Sequence, residues 1–269
     1  MAELNYEVRR SVAYLELNRP ERRNALNQDL VRSLREALDR AQQDKSVRVL
    51  VLTGAGTAFS SGADLKELQA MQSASIHDNR RDSAALAALF KKMVSLPKPI
   101  VARINGHAIG GGCGLAVASD LSIVAESARL GFTEVRIGFV PSIVAGFVLR
   151  RVGEAVCREL LLTGTVITAT EAARIGLVTR AVPDEKLDEA VDQVVSAMVR
   201  ETSGTAIALT KRLLRSLPGM SVSEALRNGA SLNAIARGTP ECRAGIAAFL
   251  NKEAFPWQKA ADEVSPRNS

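Results

Sequence analysis

One stretch of this sequence restricts its fold more than any other. An apolar, β-branched segment at residues 99–104 runs into the glycine-rich sequence NGHAIGGGCG at residues 105–114, and LAVAS follows at residues 115–119. This pattern predicts a buried strand, a tight turn and a buried helix. A helix that begins at such a turn directs its first backbone N–H groups outward. The stretch therefore indicates a site for a phosphate, a carboxylate or the oxyanion of an acyl intermediate.

A second glycine turn narrows that choice. Residues 58–66 read AFSSGADLK and lie between a predicted strand and a predicted helix. An oxyanion hole needs two N–H donors, and two separate strand-to-helix turns can supply one each. The pair of turns favours acyl chemistry over simple anion binding.

The rest of the chain predicts an α/β fold. Strands are predicted at residues 12–17, 47–52 and 121–125, and helices at 27–43, 64–71, 82–94 and 187–199, with a polar loop at 74–82. The nearly all-apolar strand at 47–52 is typical of a sheet covered on both faces. Three helices, broken at 218–219 and 238–240, are predicted between residues 205 and 250. We expect a core at 1–203, a helical region at 204–269 and disorder over the last seven residues.

Composition limits the classes of function. The 269 residues carry a net charge of +6, which fits either a solvated, arginine-rich surface or a polyanionic ligand such as a nucleotide-bearing cofactor or RNA. The basic residues are scattered rather than grouped, so composition alone does not favour RNA. The three cysteines are far apart and have neither metal-ligand spacing nor a disulfide pattern, so we expect no metal and a reducing, cytoplasmic location. The longest uncharged stretch is short and glycine-rich, so no membrane span is predicted.

Several catalytic motifs are absent from the sequence. No dinucleotide-binding GxGxxG opens the first βα unit, no phosphate-binding GxxxxGK[ST] is present, and no GxSxG elbow marks a serine hydrolase. Of the two histidines, His77 lies in a polar segment and His107 lies beside the glycine run. His107 is a candidate catalytic residue, or else a strand-end side chain hydrogen-bonded to the backbone.

Five segments together resemble the enoyl-CoA hydratase/isomerase (crotonase) family. They are ERRNALN at 21–27, FSSGADLK at 59–66, NGHAIGGG at 105–112, GFTE at 131–134 and GIAAFL at 245–250. The resemblance spans essentially the whole chain. It implies a crotonase-like spiral of ββα units with a C-terminal α-helical region that packs trimers, often paired into hexamers. It also implies an enzyme that acts on an acyl-CoA thioester, in fatty-acid metabolism, with coenzyme A as part of the substrate and no other cofactor.

The resemblance assigns roles to individual residues. The N–H groups of Ala63 and Gly111 would form the oxyanion hole for the thioester carbonyl, and Glu134 would move the proton. The residues implied in substrate or coenzyme A binding are Arg23, Ala25, Ala63, Asp64, Leu65, Lys66, Gly111, Gly114, Pro141, Ser142, Phe249 and Lys252. Of these, Phe249 and Lys252 match positions at which a neighbouring subunit closes the pocket.

One departure from the family pattern leaves the reaction open. Family hydratases carry a first glutamate where this chain has Gly114, and a second where it has Glu134. Hydration divides naturally between two carboxylates, whereas a double-bond shift needs one. We expect hydration or dehydration, with double-bond isomerisation as an alternative and an RNA- or acyl-CoA-binding protein as a non-enzyme alternative. Ser142 could hold the water through its N–H or hydroxyl, and Gly114→Glu is expected to raise hydration.

Overall fold

Two sheets form the frame of the protein. The structure is a computed structural model that describes residues 2–264. Within these residues the strands are β1 (Leu4–Arg9), β2 (Val12–Leu17), β3 (Val49–Gly54), β4 (Ala58–Ser60), β5 (Ile100–Ile104), β6 (His107–Ile109), β7 (Leu121–Ala125), β8 (Arg129–Gly131), β9 (Val166–Thr168) and β10 (Arg180–Val182). One sheet has the order β1-β2-β3-β5-β7-β10, and the other has the order β4-β6-β8-β9.

Helices connect and cover these sheets. They are α1 (Gln28–Gln43), α2 (Leu65–Ala70), α3 (Ile76–Ser95), α4 (Gly111–Ala118), α5 (Ala145–Thr163), α6 (Ala169–Arg174), α7 (Leu187–Arg200), α8 (Gly204–Ser216), α9 (Val222–Gly238), α10 (Pro240–Asn251) and α11 (Pro256–Val264). No helix in the described part of the chain is both long enough and apolar enough to span a bilayer.

The chain winds as a spiral because each successive unit gives one strand to each sheet. β3 and β4, β5 and β6, and β7 and β8 follow one another in this way, and a helix follows each pair. All neighbours from β2 to β10 in the larger sheet are parallel, as are β4, β6 and β8 in the smaller one. This is the spiral of ββα units that the resemblance implies.

The larger sheet is buried on both faces, as the apolar run at 47–52 predicts. Leu50 and Leu52 belong to the apolar cluster that also includes side chains of α1, α3 and α4. Val49 and Val51 alternate with them and belong to a second cluster, formed with α7. Because successive side chains of a strand point to opposite faces, an unbroken apolar strand serves both clusters. The strand itself runs from Val49 to Gly54, two residues later than predicted.

The predicted helix at 27–43 is confirmed and shows why the local sequence folds in this way. The side chain of Asn27 accepts a hydrogen bond from the N–H of Leu30 at 2.8 Å and so caps α1. Leu30, Leu34 and Leu38 are buried along one face. Their spacing of four residues matches the helical period, which is the signal that the sequence carries.

The predicted polar loop at 74–82 is wrong, because α3 already begins at Ile76. Ser75 caps it by accepting a hydrogen bond from the N–H of Asp78 at 3.1 Å. The first two turns of α3 are largely exposed and polar, so they carry no apolar periodicity that would have predicted a helix.

The helical tail follows the predicted breaks. α8, α9 and α10 are separated at 217–221 and at 239, where Pro218, Gly219 and Pro240 interrupt the chain. α8 begins at Gly204, although the division of the chain at residue 203 stays a prediction. The disorder predicted for the last seven residues is wrong for residues 263 and 264, which are helical; residues 265–269 lie outside the described part of the chain.

Asn24 ties the loop after β2 to the larger and smaller sheets. It is completely buried, and its Nδ2 atom donates hydrogen bonds to the carbonyl oxygens of Ala55 and Ala58 at 2.9 and 2.8 Å. Its Oδ1 atom accepts from the N–H of Arg19 at 2.9 Å. Its φ of 55° lies in the left-handed region, which asparagine tolerates better than most residues.

We expect Asn24→Ala to lower the free energy of unfolding by about 2–4 kcal/mol, because a buried group left without its hydrogen bond costs about 1–3 kcal/mol. Chemical denaturation followed by circular dichroism measures the change. Asn79→Ala is the control, since Asn79 is exposed on α3. Equal stabilities for the two variants would contradict this role of Asn24.

Candidate active site

Three neighbouring parallel strands end at the same edge of the smaller sheet. β4, β6 and β8 lie side by side, with Ala58 paired to His107 and Ile109 paired to Gly131. Parallel strands present their carboxyl ends together, about 4.8 Å apart. The segments that follow these strands carry Ala63, Gly111 and Glu134 in turn. Strand order therefore brings together three residues that are more than 20 positions apart in sequence.

The turn after β4 leaves the N–H of Ala63 free. Leu26 forms a parallel bridge with Ala63: its N–H donates to the carbonyl of Gly62 at 2.7 Å, and its carbonyl accepts from the N–H of Asp64 at 3.0 Å. In such a bridge the N–H of the central residue points to the opposite side. Among the described residues, no hydrogen bond engages the Ala63 N–H.

The turn after β6 requires glycine and presses against the first turn. Gly110 has φ 54° and ψ −125°, and its N–H donates to the carbonyl of Gly131 at 2.8 Å. A β-carbon built on Gly62 would lie 2.7 Å from the carbonyl oxygen of Ile109 and 3.2 Å from the nitrogen of Gly111. Only glycine permits this approach. The peptides that carry the two predicted oxyanion donors are therefore in direct contact.

Helix α4 begins at Gly111, so the N–H of Gly111 lies at the positive end of the helix dipole. From Gly112 to Ala118 the helix is buried, and it carries no charged side chain. An anion held at this N-terminus therefore meets a fixed partial positive charge without competition from a neighbouring carboxylate on α4.

Glu134 places its carboxyl group beside these turns. A β-carbon built on Gly110 would lie 3.1 Å from the Oε1 atom of Glu134. The Oε2 atom is buried and has no hydrogen-bond partner among the described residues. Burial raises the pKa of Glu134, and its own backbone N–H offsets part of that increase. A carboxyl group can act as a general acid or base by accepting and returning a proton.

The position of the missing first glutamate is closed. A β-carbon built on Gly114 would lie 2.4 Å from Cγ1 of Val144 and 3.0 Å from Cζ of Phe90. Val144 and Phe90 are themselves buried. The effect of Gly114→Glu on hydration stays a prediction, and the new side chain needs Val144 to move before it has space.

Ser142 and Pro141 follow the turn that begins at Glu134. Pro141 is buried and Ser142 is exposed. The N–H of Ser142 donates to the carbonyl of Val140 at 2.8 Å, so the expectation that this N–H holds a water is wrong. The expectation that the Ser142 hydroxyl holds the water stays a prediction.

Hydrogen bonds draw the predicted coenzyme A segments together. The N–H of Ser61 donates to the carbonyl of Arg23 at 2.9 Å, which joins the 19–26 loop to the turn after β4. Arg23, Leu65 and Lys66 are exposed, and Ala25 is buried. A pocket mouth between these two segments would present exposed side chains to a ligand.

The carboxylate of Asp64 has a structural task. It pairs with the guanidinium of Arg19 at 3.0 Å and caps α2 by accepting from the N–H of Lys66 at 3.1 Å. Burial raises the pKa of Asp64, but these two partners outweigh burial and hold the pKa below its ordinary value. Because its carboxylate is engaged in this way, Asp64 would make its predicted contact with coenzyme A through its backbone.

The remaining predicted residues lie elsewhere. Phe249 and Lys252 are exposed at the end of α10, a helix that packs on α9 and α11 of its own chain. His107 accepts a hydrogen bond from the N–H of Arg129 at its Nδ1 atom, at 3.1 Å, which is the structural alternative considered for it. The roles assigned to individual site residues stay predictions.

Sequence reasoning missed three residues that shape the site: Arg19, Asn24 and Ser60. Arg19 holds Asp64 and also donates to the carbonyl of Ala25 at 2.5 Å. Asn24 lies in the ERRNALN segment, which was a usable signal, whereas no local pattern marks Arg19. Ser60 lies in the FSSGADLK segment, but no pattern there gives its side chain a role.

The closed position at Gly114 yields a stability prediction. Gly114→Ala is expected to destabilise the protein by about 1–3 kcal/mol through overpacking. Adding Val144→Ala removes the clashing methyl group, so the two losses should not add, with a coupling of about 0.5–3 kcal/mol. Thermal unfolding of the two single variants and the double variant measures this, with Gly146→Ala as control because nothing lies near its β-carbon. Additive losses would mean that Val144 does not close the position.

Comparison with known proteins gives the relationship. A family model described as enoyl-CoA hydratase/isomerase matches residues 7–260. A relative from Thermus thermophilus, whose name gives enoyl-CoA hydratase as a provisional assignment, is 45% identical over 242 residues, which are 90% of this chain and 95% of the relative. The 2,3-dehydroadipyl-CoA hydratase of Escherichia coli is 34% identical over 256 residues, which cover 94% of this chain and 97% of that enzyme.

The fold agrees with these sequence matches. The crystal structure of an enoyl-CoA hydratase from Mycobacterium smegmatis aligns with a TM-score of 0.89 at 30% identity, over 96% of this chain and 99% of that one. The expected α/β spiral with C-terminal helices is confirmed. The chain belongs to the enoyl-CoA hydratase/isomerase family.

Proposed function

We propose that this protein is an enoyl-CoA hydratase that adds water reversibly across the α,β double bond of an acyl-CoA thioester. The observation that carries the proposal is the meeting of two free backbone N–H groups, from Ala63 and Gly111, with the carboxyl group of Glu134 at one edge of the sheet. The hydratase names of its relatives favour hydration over isomerisation.

In the proposed reaction the thioester oxygen accepts hydrogen bonds from Ala63 and Gly111. As the water oxygen bonds to the β-carbon, the π electrons move towards the thioester and form an enolate, whose charge these N–H groups stabilise. Loss of one such donor typically costs about 3–4 kcal/mol of transition-state stabilisation.

Glu134 carries all of the proton transfer in this proposal. Its carboxylate takes the proton that the attacking water loses and returns it to the α-carbon, so the enzyme ends the cycle as it began. Phe90 and Val144 support the single-acid scheme, because they fill the space that a second carboxylate would need at position 114. Ser142 lies close to Glu134 in the sequence, and in this proposal its hydroxyl holds the water.

The same closure favours a second candidate, a double-bond isomerase. One carboxylate suffices to move a proton between the α- and γ-carbons of an enoyl thioester. Because no water adds in that reaction, an apolar surface at position 114 does not hinder it.

Four further assignments complete the proposal: the path of coenzyme A, the oligomeric state, the location and the metabolic role. Coenzyme A belongs to the substrate and runs past Arg23 and Lys66, whose positive charges suit its phosphates. Exposed apolar side chains on the tail helices, Leu226, Ile246 and Phe249 among them, suit a trimer or a pair of trimers, in which Phe249 and Lys252 would reach a neighbour's pocket. Free thiols at all three cysteines suit the cytoplasm, and the substrate class suits fatty-acid metabolism.

Labelled solvent separates the two reactions. We expect 2-enoyl-CoA thioesters incubated in ¹⁸O-labelled heavy water to gain both oxygen-18 and carbon-bound deuterium, as read by mass spectrometry. A shifted double bond without oxygen uptake would establish the isomerase instead. Failure to change any 2-enoyl or 3-enoyl thioester would contradict both.

Glu134→Gln removes the proton carrier while keeping the size of the side chain. We expect kcat to fall by about 10²–10⁴-fold, the usual contribution of general acid–base catalysis. Binding of coenzyme A, measured by calorimetry, should persist. Glu126→Gln serves as control, since Glu126 is an exposed glutamate one turn before β8. Substantial turnover in Glu134→Gln would remove Glu134 from the mechanism.

The raised pKa of Glu134 predicts the pH dependence. The reaction needs the carboxylate, so kcat/KM should decline as the pH falls through the raised pKa. The midpoint of that decline should lie above about 4.3, the pKa of an ordinary glutamate. A rate profile with a non-ionising thioester substrate measures it. A midpoint at or below the ordinary value would mean that another group controls the rate.

A further inference from the structure

The hydroxyl of Ser60 occupies a buried position where three parts of the candidate site meet. Ser60 ends β4 and is completely buried. Its Oγ atom donates a hydrogen bond to the carbonyl of Asn24 at 2.8 Å. The same atom accepts a hydrogen bond from the N–H of Gly62 at 3.3 Å.

The second turn lies against the same side chain. A β-carbon built on Gly112 would lie 2.7 Å from Cβ of Ser60 and 2.8 Å from its Oγ atom. The first turn of α4 therefore rests on Ser60. One side chain contacts the 19–26 loop, the turn that carries Ala63 and the helix that carries Gly111.

These contacts determine where the Ala63 N–H points. Gly62 has a φ of 85°, a conformation that a flexible turn can leave by rotating its peptides. Ser60 accepts from the Gly62 N–H, which belongs to the peptide before Gly62. The Leu26 N–H donates to the Gly62 carbonyl at 2.7 Å, which belongs to the peptide that carries the Ala63 N–H. Both peptides that flank Gly62 are therefore held by hydrogen bonds.

We propose that Ser60 is a positioning residue for the oxyanion hole, one that orients the Ala63 N–H against the Gly111 N–H without touching the substrate. The inference rests on the proposed function, because it concerns the donors assigned there. Preorganised donors stabilise charge only when they already point at it, so a small rotation of this peptide weakens the enolate more than the bound substrate.

Ser60→Ala tests the inference, with Ser122→Ala as its matched control. Ser122 is also completely buried, and its Oγ atom donates to the carbonyl of Ala116 at 2.6 Å, at the opposite end of α4 from Gly111. Each variant removes a buried hydroxyl from a backbone carbonyl, so each is expected to lose stability. Only Ser60→Ala should impair the oxyanion hole.

The readout is the near-ultraviolet band of the enolate of acetoacetyl-CoA, a β-keto thioester whose enolate forms when two N–H donors stabilise it. Wild-type protein should produce the band. Ser60→Ala should weaken it and lower kcat by about tenfold, less than the roughly 10²–10³-fold cost of losing a donor outright. KM should stay within about twofold and the acid limb of the pH profile should not move, because Glu134 is untouched. Ser122→Ala should keep both the band and kcat.

The outcomes distinguish the two proposals. A wild-type protein without the band would overturn the oxyanion hole itself. A wild-type band that Ser60→Ala retains, or that both serine variants lose equally, would overturn the role of Ser60 alone. If Ser60→Ala does not fold, Ser60→Cys replaces it, since a thiol is a weaker donor and acceptor. An undiminished band in folded Ser60→Cys would equally overturn the inference.

Discussion

The parallel pairing of β4, β6 and β8 is the constraint on which the site depends. Each strand is three residues long, yet their shared direction delivers the ends of three separate ββα units to one edge. Two units supply a backbone N–H and the third supplies Glu134. The close approach of the turns depends on glycine at positions 62 and 110.

Buried hydrogen bonds from side chains to the backbone hold the turns in place, and these hydrogen bonds require close packing. Asn24 and Ser60 are completely buried, and each is hydrogen-bonded to backbone on neighbouring segments. Arg19 supports the same region by pairing with Asp64. Such a network stabilises the protein only when its members are all satisfied, which makes it more sensitive to substitution than the surrounding aliphatic core.

At position 114 this chain has a glycine enclosed by apolar side chains, where the family pattern leads us to expect a glutamate. Without a carboxylate there, Val144 and Phe90 close the space around Gly114. Burial raises the pKa of Glu134, a direction that suits the proton transfer proposed for it. The single candidate acid, Glu134, and the closed position 114 are therefore compatible with each other.

The sequence by itself determined the local elements, namely the glycine turns, the helix α1 and the doubly buried strand β3, and its resemblance to the family indicated Glu134. Local periodicity and turn chemistry carry that information. Only the tertiary structure decided that Val144 closes position 114 and that Ser60 bonds to Asn24. These contacts join residues 30 or more positions apart, and no local pattern records which partner a buried group will find.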